Sequence, residues 1–157
     1  MAAREHHYQL SVEWTGNSGK GTESYRSYQR DFVVTTANKP AIQGSSDPAF
    51  LGDATRWNPE DMLLASTSAC HKLWYLHLCA EAGIVVTAYR DNAEGTMTED
   101  EKGHFTQIIL KPQVTVRQGS DKALALALHH NAHEMCFIAN SLNFPVLCEA
   151  SITDAAE

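Results

Sequence analysis

The stretch WNPEDMLLASTSACHKLWYLHLCAEAGI, Trp57 to Ile84, decides the fold. Asn58 suits the cap before a helix, Pro59 the first helical position, and Glu60 and Asp61 the positive end of the helix dipole. A helix is therefore predicted from there to about Ala82, stopping at Gly83. It is apolar on nearly all sides, which predicts a place at the centre of the core. His71, Lys72, His77 and Glu81 interrupt its apolar run, as do Ser and Thr at 66–68. A bilayer helix needs ~20 predominantly apolar residues with few charges, so this is read as a buried helix.

Upstream of it, Tyr8, Leu10, Val12 and Trp14 alternate with polar residues, as in a half-buried strand. GNSGKGT (Gly16 to Thr22) reads as a tight turn and Tyr28 to Val34 as a second strand. Asn38 to Asp53 carries Pro40, Gly44, Pro48 and Gly52 and reads as a loop. Downstream, a strand is predicted over Ile84 to Met97, then an exposed turn at EDEKG (Glu99 to Gly103). Thr106, Ile108, Leu110, Pro112, Val114 and Val116 share one side of a long strand, at an edge or bulged at Pro112, which has no N–H to donate. Ser120 and Asp121 open a second helix, with Ala123, Leu124, Ala127, Leu128 and Ala132 on one face, ending near Met135. A short helical turn over Phe137 to Leu142 and a last strand over Pro145 to Ile152 complete the chain. The order ββ-α-ββ-α-β predicts an α+β fold, an antiparallel sheet wrapped on the central helix. With no internal repeat or composition shift, residues 1–157 read as one domain.

Composition narrows the function. The hydrophobic fraction is 43% and charged residues are 20%, which describes a folded chain. A formal net charge of −7 argues against nucleic acid and against an anionic membrane surface as partners. The opening MAAREHHYQ has no apolar signal region and neither end carries a lipidation motif, so a cytoplasmic location is expected.

Four cysteines are present: Cys70, Cys79, Cys136 and Cys148. In a reducing compartment such residues are small buried hydrophobes or redox-active thiols. Cys70 and Cys79 are nine residues apart on one helix, on opposite faces, and cannot bond to each other while the helix persists. Cys136 stands where the second helix breaks; spacing alone leaves a Cys70–Cys136 bond open. A free thiol is only about 3% ionised at neutral pH, so a mid-helix nucleophile needs a cation, best an arginine, which Glu60 would orient by a bidentate pair.

The histidines offer a rival. His129 and His133 are spaced i, i+4 and Cys136 follows three later, a three-ligand face of zinc-like spacing that no separate cluster completes. His71 and His77 read as packed or surface residues, and His6 and His7 as surface residues at a strand end. GNSGKGT lacks the spacing and the following helix of a phosphate loop, and no Gly-x-Ser-x-Gly elbow is present.

Trp57 to Ile84 resembles the central-helix signature of the OsmC/Ohr family (osmotically inducible and organic hydroperoxide resistance proteins), in its OsmC-like branch. There Asn-Pro-Glu opens a helix and a cysteine follows ten residues after the glutamate. HEMCFIANSLNFPV (His133 to Val146) resembles the family's second-cysteine segment, and Trp14-Thr-Gly16 with Gly19-Lys-Gly21-Thr22 is similar to its first hairpin. The resemblance implies an OsmC-like fold, an intertwined homodimer, and thiol-dependent reduction of organic hydroperoxides, with inorganic peroxide a weaker substrate. It implies that Cys70 is the peroxidatic and Cys136 the resolving cysteine, passing through a Cys70 sulfenic acid and a Cys70–Cys136 disulfide. Glu60 is the acid that holds the activating arginine, and a dithiol, for instance of the lipoyl type, is the reductant. No metal or flavin cofactor is implied. In the family the arginine comes from the first hairpin or the loop before the central helix. Here that hairpin has Asn17, Ser18 and Lys20; Arg30 is the choice, with Arg26 and Arg56 as alternatives. Leu73, Trp74, Phe137 and Phe144 are candidates to line an apolar pocket, while Cys79 and Cys148 are read as core residues. The alternative function is a small-molecule or metal-binding protein, or a thiol redox sensor, on the same fold.

Overall fold

Helix α1 runs from Pro59 to Glu81 in a computed structural model that describes residues 2–157. Its ends are those the sequence predicts. Asn58 Oδ1 accepts from the Asp61 N–H at 2.8 Å while an Asp61 carboxylate oxygen accepts from the Asn58 N–H at 3.3 Å, a reciprocal cap. At the other end Gly83 takes φ 75°, and the Gly83 and Ile84 N–H groups return to Ala80 O and Cys79 O. That left-handed exit costs glycine little.

The burial of α1 differs from the prediction. Only Thr67, His71, Tyr75 and Cys79 are fully buried, one line of residues at four-residue spacing. Leu73 is 63% exposed. The helix is apolar all round, but its own chain covers chiefly this stripe.

The chain divides into two compact units, one ending at Met62 and the other Leu63–Glu157. In the first, β1 (Ser11–Trp14), β2 (Phe32–Thr35) and β3 (Ile42–Gly44) form an antiparallel sheet in the order β1-β2-β3. The alternation in β1 is present but uncovered: Val12 is 63% exposed, so this strand is not half-buried. β3 lies inside the stretch predicted as loop. At Gly44 a Cβ would stand 2.3 Å from the Phe32 ring, so the glycine that suggested a loop is what lets the strands close. Backbone bonds from Ser45 N to Trp57 O and from Trp57 N to Gln43 O then tie β3 to the residue that precedes the α1 cap.

The second unit holds β4 (Val86–Asp91), β5 (Glu94–Thr98), β6 (His104–Leu110), β7 (Pro112–Val116), α2 (Lys122–Met135), β8 (Val146–Cys148) and β9 (Ser151–Asp154). They form two sheets, β4-β7-β9 and β5-β6-β8. β4 pairs β7 and β5 pairs β6 antiparallel, but β8 and β9 join β6 and β7 in parallel, so both sheets are mixed. Each of the three strands predicted downstream of α1 is two strands, one in each sheet. The breaks fall after Asp91, at Lys111 and after Cys148. Pro112 opens β7, a central strand, rather than marking an edge. At the break the Asp91 carboxylate accepts the Lys111 N–H at 2.7 Å and the Ser68 hydroxyl at 2.5 Å, replacing ladder partners.

Asp121 caps α2 by accepting from the Leu124 N–H at 2.9 Å, as predicted. The face α2 buries is Ala125, His129 and Ala132; Ala123, Leu124 and Ala127 are exposed, so the predicted face is rotated. Tyr75 and Cys79 of α1, Ile84, Val114 and Val116 of the chain beneath, and Ala125 and Ala132 of α2 make the core. The Tyr75 hydroxyl donates to Ala125 O at 2.8 Å, so the one polar atom of this buried ring is partnered. A 3-10 turn, Ala139–Ser141, stands where a short helical turn is predicted. Among the described residues no helix is long and apolar enough to cross a membrane.

Candidate active site

Two thiols meet where α2 ends. Cys70 lies in the middle of α1 and is half-buried. Cys136 follows the last residue of α2 and is buried, with the Ala139 N–H 3.5 Å from its Sγ. Burial, with a smaller push from the neighbouring Cys70 thiol and a counter-pull from the Ala139 N–H, raises Cys136 to about 11. Cys136 is therefore held as a protonated thiol at neutral pH. Cys70 opens onto a pocket of about 340 Å³ lined by Leu73, Trp74, His77 and Phe137. The Trp74 ring stands edge-on to Phe137, centroids 5.4 Å apart. Phe144 is not part of this lining; it stacks on Phe105 at 5.6 Å.

The groups expected to activate Cys70 lie in the unit that ends at Met62. Glu60 is in the first turn of α1. Arg30 donates to Tyr28 O at 2.6 Å and to Tyr25 O at 2.5 Å, and its guanidinium lies 4.0 Å and 4.5 Å from the Tyr28 and Tyr25 ring centroids. Its fork thus serves its own loop. Arg56 Nε faces Asp31 at 3.5 Å and Asp53 at 3.9 Å, and Nη1 donates to Gln43 Oε1. Neither guanidinium is paired with Glu60 in this conformation.

Residues 52–151 match the family model described as OsmC-like protein. The chain belongs to the OsmC-like family. It is 27% identical over 156 residues to the uncharacterised protein YmaD of Bacillus subtilis (strain 168), covering 94% of this chain and 95% of that one. Among solved structures it is similar to an OsmC-like protein of unknown function from Vibrio cholerae (TM-score 0.83, 29% identity, 94% of this chain and 100% of that one). It also shares the fold of an organic hydroperoxide resistance protein OsmC from Legionella pneumophila (TM-score 0.64, 20% identity, 95% of this chain and 99% of that one).

This OsmC-like chain carries a second constellation, which sequence reading missed. His71 of α1 and His129 of α2 are 1% and 4% exposed, and their Nε2 and Nδ1 atoms are 3.0 Å apart. The rings are parallel within 3° with centroids 5.3 Å apart. That separation is two ring radii plus the N···N contact laid end to end, so the rings are coplanar and joined by an in-plane hydrogen bond. Tyr75 stacks face to face on His129, centroids 3.8 Å apart. Burial pushes both histidines down to about 4; Asp91 works against it at His71, while His133 adds to it there and His71 adds to it at His129. Both are therefore neutral at neutral pH.

Cys148 belongs here too. It sits at the exposed end of β8, not in the core as its sequence context predicts, and its Sγ is 4.0 Å from His71 Nε2. Burial of the sulfur, with Asp91 and Glu149 adding, raises this thiol to about 11. The predicted zinc face of His129, His133 and Cys136 is not assembled: His129 turns to His71 and Cys136 to Cys70. Cys79 is buried in the core, as predicted. The Thr67–His71–Tyr75–Cys79 spacing marks His71 alone, on the one buried line of α1, and gives no sign of His129 or Cys148.

Proposed function

We propose that this OsmC-like protein is a thiol peroxidase that reduces organic hydroperoxides, and inorganic peroxide more weakly. The observation that carries the reading is the meeting of Cys70 and a buried, protonated Cys136 beside an apolar pocket. Cys70 acts as thiolate. It attacks the distal peroxide oxygen, the O–O bond breaks, and the alkoxide leaves as alcohol after taking a proton. Cys70 becomes a sulfenic acid. Cys136 then attacks that sulfur, its thiol proton leaves with the hydroxyl as water, and a Cys70–Cys136 disulfide forms. A dithiol of the lipoyl type restores both thiols by exchange and is itself oxidised to a disulfide. Because Cys136 is held protonated, it does not compete with Cys70 for peroxide.

Glu60 orients the arginine that activates Cys70. If that arginine is Arg30, it must leave the Tyr25 and Tyr28 carbonyls to do so. Residues 1–157 act as one OsmC-like domain in an intertwined cytoplasmic homodimer, in which a second copy covers the exposed Leu73 and Phe137 at the pocket.

Stopped-flow consumption of cumene hydroperoxide against hydrogen peroxide, with a dithiol reductant, tests the reading. Fast turnover that prefers the organic peroxide and disappears in Cys70→Ser supports it, and Cys136→Ser should trap a sulfenic acid that dimedone captures. Wild-type rates equal to those of Cys70→Ser would overturn it. An unchanged rate in Arg30→Ala would assign the activation to another arginine.

A further inference from the structure

The geometry points to a second site, separate from the Cys70–Cys136 pair: we propose that His71, His129 and Cys148 bind a zinc ion. The three side chains come from α1, α2 and β8, and one ligand atom of each lies within 4.8 Å of the others. With Zn–N about 2.0–2.1 Å and Zn–S about 2.3 Å, tetrahedral ligand atoms stand about 3.3 Å (N···N) and about 3.6 Å (N···S) apart. Here the N···N distance is 3.0 Å and the His71 N to Cys148 S distance is 4.0 Å. These two spacings lie within a few tenths of an ångström of a tetrahedral face, and binding also requires the two rings to tilt out of their end-to-end line so that each facing nitrogen aims at the ion.

Unpartnered polar atoms lie around the triad. Among the described residues two buried side-chain polar atoms have no hydrogen-bond partner, His129 Nε2 and Tyr89 Oη. One is the outer nitrogen of the His129 ring, since Nδ1 is the atom that faces His71. The other is held in the neutral form by burial, with the charges of Asp91 and Cys148 adding, so it borders the triad from β4.

The charge balance suits a dication. Asp91, fixed by Ser68 and Lys111, faces His71 and Cys148 electrostatically. A zinc ion with one thiolate keeps a single positive charge, which Asp91 offsets. On binding, the Cys148 S–H proton is released to solvent. The proton shared between the histidines moves to the outer nitrogen of the ring that carried it, so both facing nitrogens present lone pairs. Three protein ligands leave one position open. His129 and Cys148 both line a pocket of about 370 Å³ that His130, His133, Leu126 and Leu147 also bound, and the open position belongs to that side.

The test uses the full chain, reduced and freed of metal, titrated with zinc against a chromophoric chelator and with cobalt(II) as a spectroscopic probe. One ion per chain is expected, with the strong visible bands of tetrahedral cobalt and an ultraviolet thiolate-to-cobalt band. Cys148→Ser should abolish that band and weaken zinc by at least ~100-fold, since losing an outer-shell partner alone costs ~10–100-fold. Cys70→Ser/Cys136→Ser should leave band and affinity unchanged. No binding at micromolar free zinc would overturn the proposal, as would octahedral cobalt spectra without a thiolate band. So would a band that survives Cys148→Ser or vanishes in Cys70→Ser/Cys136→Ser. None of these outcomes depends on peroxidase activity.

Discussion

Mild acid should unfold this protein through two residues. His71 and His129 titrate at about 4 in the folded chain, against ~6.5 when unfolded. Their native pKa values are depressed, so the unfolded state binds more protons between these limits and stability falls as pH falls through them. At about pH 5 an unfolded histidine is nearly fully protonated while a native one remains mostly neutral. Integrated from about pH 7 to about pH 5, each histidine removes about 2 kcal/mol and the pair about 4 kcal/mol, a large share of a typical stability of ~5–15 kcal/mol. Urea titrations across this range, with a chelator present so that no metal holds the site, measure the loss. In His71→Gln/His129→Gln the pH dependence should flatten over this interval, whatever the absolute stability of the variant. A wild-type change below ~1 kcal/mol, or a variant that keeps the wild-type slope, would refute the reasoning.

Two further substitutions probe the frame. Tyr75→Phe leaves the ring stacked on His129 but removes its bond to Ala125 O; it should cost ~1 kcal/mol, read as a lower urea midpoint at unchanged slope. Asn58→Ala removes one half of the α1 cap and should cost ~1 kcal/mol, with Asn58→Asp recovering most of it.

The parts of the fold written in local chemistry were legible. Asn58, Pro59 and Gly83 gave both ends of α1 because caps and left-handed exits depend on neighbours in sequence. Asp121 did the same for α2. The strand breaks were not legible: the alternation of apolar residues runs through Lys111 and Cys148 without losing phase, and no glycine or proline marks the one after Asp91. Pro112 alone signalled one of them, and it read as an edge or a bulge. β3 was hidden by glycine and proline density, although Gly44 is what admits the Phe32 ring. The meeting of Cys70 with Cys136 came from family resemblance, not spacing. The His71–His129–Cys148 cluster was out of reach of both, since its members are 58 and 77 residues apart and only the packing of α1 against α2 and β8 joins them. The α2 face was misassigned because alanines and leucines lie all round that helix, and the histidine is what faces inward.

The shared level of the three strand breaks makes a crease across the C-terminal unit. On either side each ladder keeps its own register: Asp91 opposite Pro112 in one sheet, Glu94 opposite Ile109 in the other. A one-residue insertion inside a strand would turn every side chain beyond it to the wrong face. The same insertion at Asn92 or Ala93 adds length where neither ladder is being counted. The crease is therefore where this fold can gain or lose residues between relatives while both sheets stay in phase, and with Asp91 and Cys148 on its rim, a change of length there would reshape the histidine site before it disturbed the core.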